Sequence, residues 1–248
     1  MFQQSPPISP PAVLSDETIR KLKTATASAG RTAHKRHIAL RDQTIFALAL
    51  GTGLREFEIA ALTIGDAFEL IDNEPRARSW VLLRVFKGSK RKPKARTEAQ
   101  RKALAKRAAQ RGEPAAKPAK QPKAPKPQRV YVPATVRAAL DTFLAAKQAR
   151  RERVTPEAPI FAGRAGKPVS LRLLRHIVAL WQERAGVEHN RFHNMRHTAI
   201  TRYYDHTNNL KAVQDFARHA SLVTTQRYIH VANEYREQTA DAMAASWG

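Results

Sequence analysis

Apolar residues recur along most of this chain at the three-to-four-residue spacing of amphipathic helices, and alternation is confined to short stretches. Ser15 followed by Asp16 and Glu17 reads as a helix start, and the spacing predicts a helix from Asp16 to Ala29 that Gly30 ends. A second helix is expected over Arg36–Gly51, with Ile38, Ile45, Phe46, Ala49 and Leu50 on its apolar face. Gly51-Thr52-Gly53 breaks it, and Leu54–Leu62 forms the next. Ser79–Phe86 alternates and is rich in β-branched and aromatic residues, so it reads as a strand, with Arg129–Pro133 as a second extended piece. Thr135–Arg150 carries Val136, Leu140, Phe143 and Leu144 on one helical face. Pro159-Ile160-Phe161 is extended and ends at Gly163. Ser170 caps a helix over Leu171–Arg184, which Gly186 stops. Helices over Met195–Asp205 and Leu210–Ala217 follow, then one capped by Ser221 and carrying Thr224, Thr225 and Tyr228. A last one, capped by Asn233, spans Glu234–Trp247.

Composition narrows the class. The 248 residues suffice for one large domain or two small ones. No apolar run approaches the roughly 18 residues of a membrane-spanning helix. The start, MFQQSPPISPPAVL, lacks the basic and apolar regions of a secretory signal and reads as a Pro-rich arm. With no cysteine, disulfides, thiolate catalysis and Cys-ligated zinc are excluded, and an intracellular, cytoplasmic protein is expected.

Charge changes the picture more. Lys and Arg number 44 against 21 Asp and Glu, a net +23, so a polyanion is the natural partner and nucleic acid the first candidate. The stretch 87–129 alone holds 16 Lys and Arg against Glu98 and Glu113, a net +14. Within it, Arg91–Gln128 is low in complexity and too polar to build a core, as expected of a basic arm that follows a phosphate backbone or of a solvated linker.

The candidate chemistry lies in Arg191–Val231. There, His193 and Arg196 stand three residues apart on one side of a helix, with His219 and then Tyr228 downstream. Three groups that donate to a phosphate and one hydroxyl nucleophile are the equipment for attacking a phosphodiester through a covalent intermediate. Tyr228 alone would more often be a core tyrosine, and Tyr203, Tyr204 and Tyr235 are its rivals. His193 and His197 have zinc-ligand spacing, but no HExxH acid accompanies them and Arg196 between them opposes a cation. His189, His197 and His206 read as structural or solvent-facing. Upstream, Arg55 sits at a helix start with Glu58 one turn on, either a phosphate site oriented by a carboxylate or an ordinary surface pair.

These blocks carry a resemblance. His193-Asn194-Met195-Arg196-His197-Thr198 is similar to the H-x-L-R-H-T of the tyrosine recombinases (phage integrase family), and Ala217–Tyr228 to their L-G-H-S-S-x-x-T-T-x-x-Y. Thr52–Glu58 resembles their T-G-L-R-x-x-E. The resemblance implies the tyrosine recombinase catalytic domain fold, mainly α with a small antiparallel β-sheet (α+β). That domain would span residues 36–235, interrupted by a basic low-complexity insertion at 91–128. Residues 1–35 would be an N-terminal arm and short helix, and 236–248 a C-terminal helix able to dock on a neighbouring protomer. The family's additional N-terminal DNA-clamping domain is not expected within the roughly forty residues before the domain.

The activity implied is cleavage and rejoining of double-stranded DNA by a site-specific recombinase through a 3′-phosphotyrosyl link. Tyr228 would be the nucleophile, Arg55 and Arg196 would hold the non-bridging oxygens, His219 would donate to the same phosphate and His193 would handle the tyrosine proton. Lys87, with Lys90 as competitor, would protonate the leaving 5′ oxygen. Neither ATP nor a metal cofactor is implied. A homo-tetramer on paired DNA sites, a nucleoid location and an accessory DNA-binding partner in place of the clamp are expected. A type IB topoisomerase-like strand transferase or a non-catalytic DNA-binding protein of the same fold are the alternatives. Two departures stand out: about forty residues at the tip of the lysine hairpin, and Arg218 where the family has Gly before the histidine.

Overall fold

The helix Ala33–Thr52 starts exposed, but from Ala39 onward Ala39, Asp42, Thr44, Ile45, Phe46, Leu48, Ala49 and Thr52 are all buried, as in a helix enclosed by others over most of its length. This is α2. The computed structural model of the chain describes residues 12–28, 32–84, 127–226 and 228. The chain divides into a unit of residues 1–83 and 129–248 and a second of 84–128, almost all of which lies outside the described residues.

Before α2 comes α1 (Asp16–Ala27), capped by the Ser15 hydroxyl, which accepts from the Thr18 amide. After it come α3 (Glu56–Ala61) and α4 (Ile64–Ala67), then strands β1 (Phe68–Ile71), β2 (Glu74–Ala77), β3 (Trp80–Leu83) and β4 (Gln128–Tyr131). The second half is helical: α5 (Ala134–Ala149), α6 (Leu171–Ala185), α7 (Phe192–Thr207) and α8 (Leu210–Ala217). Residues 222–226 and Tyr228 are again helical. The outcome is a mainly helical fold with two small antiparallel sheets, β1–β2 and β3–β4.

Helix α2 packs against α5, α7, α1 and α3. Ile45, Leu48 and Ala49 are fully buried there, and Leu140, Phe143 and Leu144 of α5 are buried as their spacing requires. Buried Asp42 of α2 is satisfied: it accepts from Trp181 Nε1 at 2.8 Å and from Arg41. Ile19 and Leu22 of α1 pack on α6 and α2, each contributing about 1.5–3 kcal/mol by burial. Just ahead of α1, the Leu14 amide donates to Thr198 Oγ1 of α7 at 2.8 Å.

The sequence pattern did not disclose the β1–β2 hairpin. Its strands are four residues long, β1 buries only Phe68, and β2 contains Pro75, so no apolar alternation develops. What makes the hairpin is its turn: Asp72 and Asn73 both adopt positive φ, 52° and 63°, which suits a two-residue hairpin loop. A second difference bears on the site. Helix α7 starts at Phe192, about a turn before the expected Met195, so His193 lies inside its first turn. Among the described residues no helix is long and apolar enough to cross a membrane. The expected helix over Glu234–Trp247 and the insertion at Arg91–Gln128, apart from Pro127 and Gln128, lie outside the described residues.

Candidate active site

Four chain segments meet at one place: the α2–α3 junction, the first half of α7, the end of α8 and the helical turn bearing Tyr228. Arg196 ties them together. It is 2% exposed and projects from α7 to donate Nη1 to the Gly53 carbonyl and Nη2 to the Ala217 carbonyl. Those carbonyls end α2 and α8, where unpaired C=O groups and the helix dipole favour a cation. Gly53 is needed for this. It caps α2 at φ +60°, and a Cβ there would meet the Phe216 ring at 3.2 Å and Ala199 at 3.7 Å. Burial, then the neighbouring Arg55 and Arg218, lowers the Arg196 pKa to about 9, still charged at neutral pH.

Glu58 is wholly buried on α3 and takes donors from two arginines. Arg55, the N-cap of α3, gives it a backbone N–H at 2.8 Å and Nη1 at 3.0 Å. Arg218 gives it Nη2 at 2.6 Å. The reading of Arg55 and Glu58 as a surface pair therefore fails, because Glu58 has no exposure and Arg55 little. Arg218 caps α8 with φ 53° and ψ 48°, the left-handed conformation that glycine adopts freely and other residues adopt at a cost of about 1–2 kcal/mol. The turn that a glycine would make is thus kept, and the side chain added there runs back to Glu58. Burial lowers the Arg218 pKa, Glu58 opposes the shift, and Arg55 adds to it.

His219 follows directly. Its Nδ1 lies 3.0 Å from Oγ1 of the fully buried Thr225. When the threonine hydroxyl donates to Nδ1, the ring's proton sits on Nε2, free to donate elsewhere. Burial first, then Arg196, Arg55 and Arg218, lowers the His219 pKa to about 4, so the ring is neutral at physiological pH. His219 stacks on Tyr228 with ring centres 5.9 Å apart.

Tyr228 is 3% exposed and packs with Ile200, Val213 and Ala217, flanked by Tyr203, Tyr204 and Phe216. Its hydroxyl meets Nδ1 of His197 at 2.7 Å. His197 was expected to be structural or solvent-facing. It is instead half-buried and bound to the candidate nucleophile, because α7 places it one turn beyond His193 on the side facing Tyr228. The His193 and His197 rings meet edge to face, 4.3 Å between centres. Burial, then Arg196 and Arg55, lowers the His193 pKa, with Glu56 opposing.

The described residues thus gather Arg55, His193, Arg196, His219 and Tyr228, and add His197, Arg218, Glu58 and Thr225. Lys87 and Lys90 lie outside the described residues. Among the described residues, no three His, Asp or Glu side chains cluster as metal ligands would.

Comparison with known proteins follows the same outline. Over 98 residues the chain is 36% identical to the tyrosine recombinase XerC of Corynebacterium efficiens, covering 40% of this chain and 32% of that protein. Over 110 residues it is 36% identical to XerC of Methylobacterium sp. strain 4-46, covering 44% and 33%. It thus spans about a third of these curated relatives' length. The solved XerH recombinase bound to palindromic difH substrate matches with a TM-score of 0.62 at 18% identity, covering 94% of this chain and 53% of that one. The XerA recombinase matches at 0.61 and 18%, covering 96% and 66%. These structural likenesses establish the fold. The phage integrase family model matches residues 13–235, nearly the whole chain, and this chain belongs to the phage integrase family.

Proposed function

We propose that this protein is a site-specific DNA recombinase that cuts and rejoins double-stranded DNA through a covalent 3′-phosphotyrosyl intermediate. The observation that carries this reading is the seat of Tyr228, whose hydroxyl rests on His197 beside His219, with Arg196 close enough to interact with it electrostatically. A structural tyrosine has no need of a cationic pocket built from two helix ends. The XerC relatives and the XerH recombinase bound to its difH substrate support DNA as the substrate class.

In this mechanism Oη of Tyr228 forms a bond to the scissile phosphorus as the bond to the 5′ oxygen breaks. The 3′ phosphate stays on the enzyme and the 5′ end leaves as a hydroxyl. Arg55 and Arg196 hold the non-bridging oxygens, whose charge grows in the five-coordinate transition state, and His219 donates Nε2–H to the same phosphate. The phenolic proton passes to His197, which already holds the hydroxyl, with His193 next in line. Lys87 supplies the leaving oxygen's proton. Rejoining reverses each step with an incoming 5′ hydroxyl. One phosphoester replaces another throughout, so the bond energy is conserved. Four copies of the chain on two paired DNA sites would complete an exchange.

Covalent trapping tests this. Wild-type protein is incubated with nicked duplexes tiled across the DNA flanking its own gene, and denaturing gels and peptide mapping follow. An adduct on the Tyr228 peptide is expected. Tight binding to these duplexes with no adduct, or an adduct on another tyrosine, would overturn the reading.

Two smaller effects are expected. Thr225→Val keeps the shape but removes the hydroxyl that fixes the His219 tautomer, so single-turnover cleavage should slow by about tenfold, less than the roughly 100-fold or more of losing the donor itself, with little change in melting temperature. An unchanged rate would show that Thr225 does not orient the ring. Deleting Arg91–Gln128 should weaken DNA binding and flatten its salt dependence, measured as log Kd against log salt. An unchanged slope would mean that these cations do not meet phosphates.

A further inference from the structure

Arg218 occupies a position that glycine fills most easily, and its guanidinium is only partly used. Nη2 is on Glu58, but Nε and Nη1 are buried and have no hydrogen-bond partner. The side chain is 10% exposed, so water does little to compensate two buried donors. Orphaned donors of this kind are rare unless a ligand completes them.

Their surroundings say which ligand. Arg218 interacts electrostatically with Arg55 and Arg196, and its backbone runs straight into His219. Three guanidinium groups here share one buried carboxylate, a net formal charge of +2 that the helix-end carbonyls holding Arg196 offset only in part. Glu58 alone could be satisfied by Arg55, which caps it with both backbone and side chain. The extra arginine therefore exceeds what the carboxylate requires. An anion with several acceptor oxygens would both use the free fork and balance the charge.

We propose that Arg218 is a third phosphate-binding arginine of this site, its Nε and Nη1 donating to an oxygen of the DNA phosphodiester that Arg55 and Arg196 hold. By sharing Glu58 it also loosens the carboxylate's hold on Arg55, which leaves Arg55 more available to the same phosphate. The proposal rests on the recombinase reading for the identity of that phosphate. A role confined to positioning Glu58 is the competing account, and the two differ in what the substrate's own charge does.

The test compares wild type with Arg218→Gly, which relieves the left-handed backbone, and Arg218→Lys, which keeps the charge but loses the fork. Single-turnover adduct formation is measured on the cleaved nicked duplex and on the same duplex with a methylphosphonate at the scissile position. On the ordinary phosphodiester Arg218→Gly should slow cleavage by roughly 100-fold, as loss of a transition-state donor does. On the methylphosphonate carrying the neutral group at the oxygen it contacts, that penalty should shrink to a few-fold. Equal penalties on phosphodiester and both methylphosphonate isomers, or no penalty, would overturn the proposal. A second readout does not need cleavage. On a mixed-sequence duplex the slope of log Kd against log salt should fall by about 0.9 in Arg218→Gly and stay at the wild-type value in Arg218→Lys. An unchanged slope in Arg218→Gly would count against any phosphate contact. If wild type forms no adduct while the slope still falls, the recombinase reading fails and the phosphate site stands.

Discussion

Tyr228→Phe is expected to form no covalent adduct on DNA that the wild type cleaves, while binding that DNA within a few-fold of wild type. The substitution is unusually clean here. The phenyl ring fills the same space against Ile200, Val213 and Ala217, so no cavity opens. The known loss is the hydrogen bond to His197 Nδ1, which sits in a half-buried place where one neutral bond is worth about 1 kcal/mol. Thermal melting should therefore shift by only a few degrees, in line with that energy for a chain of this size. Cleavage has no such fallback, since the oxygen that would form the bond to phosphorus is gone. Residual adduct in Tyr228→Phe would assign the nucleophile to another side chain, and Tyr203 and Tyr204, which flank the same cluster, would be the first to examine. Loss of binding together with cleavage would instead make Tyr228 a structural residue. The measurement is a denaturing gel beside a binding isotherm on the same duplex.

The sequence made most of the helical frame legible by apolar period, and for α1 and α6 by a cap as well. Ser15 and Ser170 accept from the amides three residues on, and Gly186 ends α6 in the left-handed conformation. Helix α8 runs from Leu210 to Ala217, the range its apolar spacing gives. The hairpin β1–β2 was invisible for a physical reason: it is held by turn chemistry at Asp72-Asn73 and by backbone pairing, with little side-chain burial to leave a pattern. The five charged and nucleophilic groups of the site could be picked out only because their spacing resembles a known family. Periodicity alone leaves Tyr228 a core residue, which by burial it also is. His197 went unrecognised because a histidine four residues from another on a helix signals nothing specific, and its role depends on Tyr228 arriving from thirty-one residues downstream. Arg218 could be flagged as a departure, but the direction of its side chain follows from a positive φ that no sequence rule assigns to arginine.

Glu58→Ala should be the most destabilising single change in the site, by about 3–5 kcal/mol, the usual cost of breaking a buried ion pair by removing one partner. In a chain of this size that is a fall in melting temperature on the order of 10 °C. Three donors lose their acceptor at once: the Arg55 amide, Arg55 Nη1 and Arg218 Nη2. The amide belongs to the N-cap of α3, so the helix start loosens as well. The remaining charge is then three guanidinium groups packed without a carboxylate, and Arg196, deepest of the three, cannot move to water without releasing the Gly53 and Ala217 carbonyls. Such a site should seek an anion. Sulfate or inorganic phosphate at tens of millimolar should raise the melting temperature of Glu58→Ala by more than that of wild type, because binding to the folded state alone stabilises it by mass action. The double variant Glu58→Ala with Arg218→Gly should recover part of the lost stability, since it removes one of the stranded charges and restores an easy left-handed turn. A loss below about 1 kcal/mol, with no response to sulfate and strictly additive effects in the double variant, would mean that the carboxylate is not neutralising these arginines and that the site is held together by packing alone.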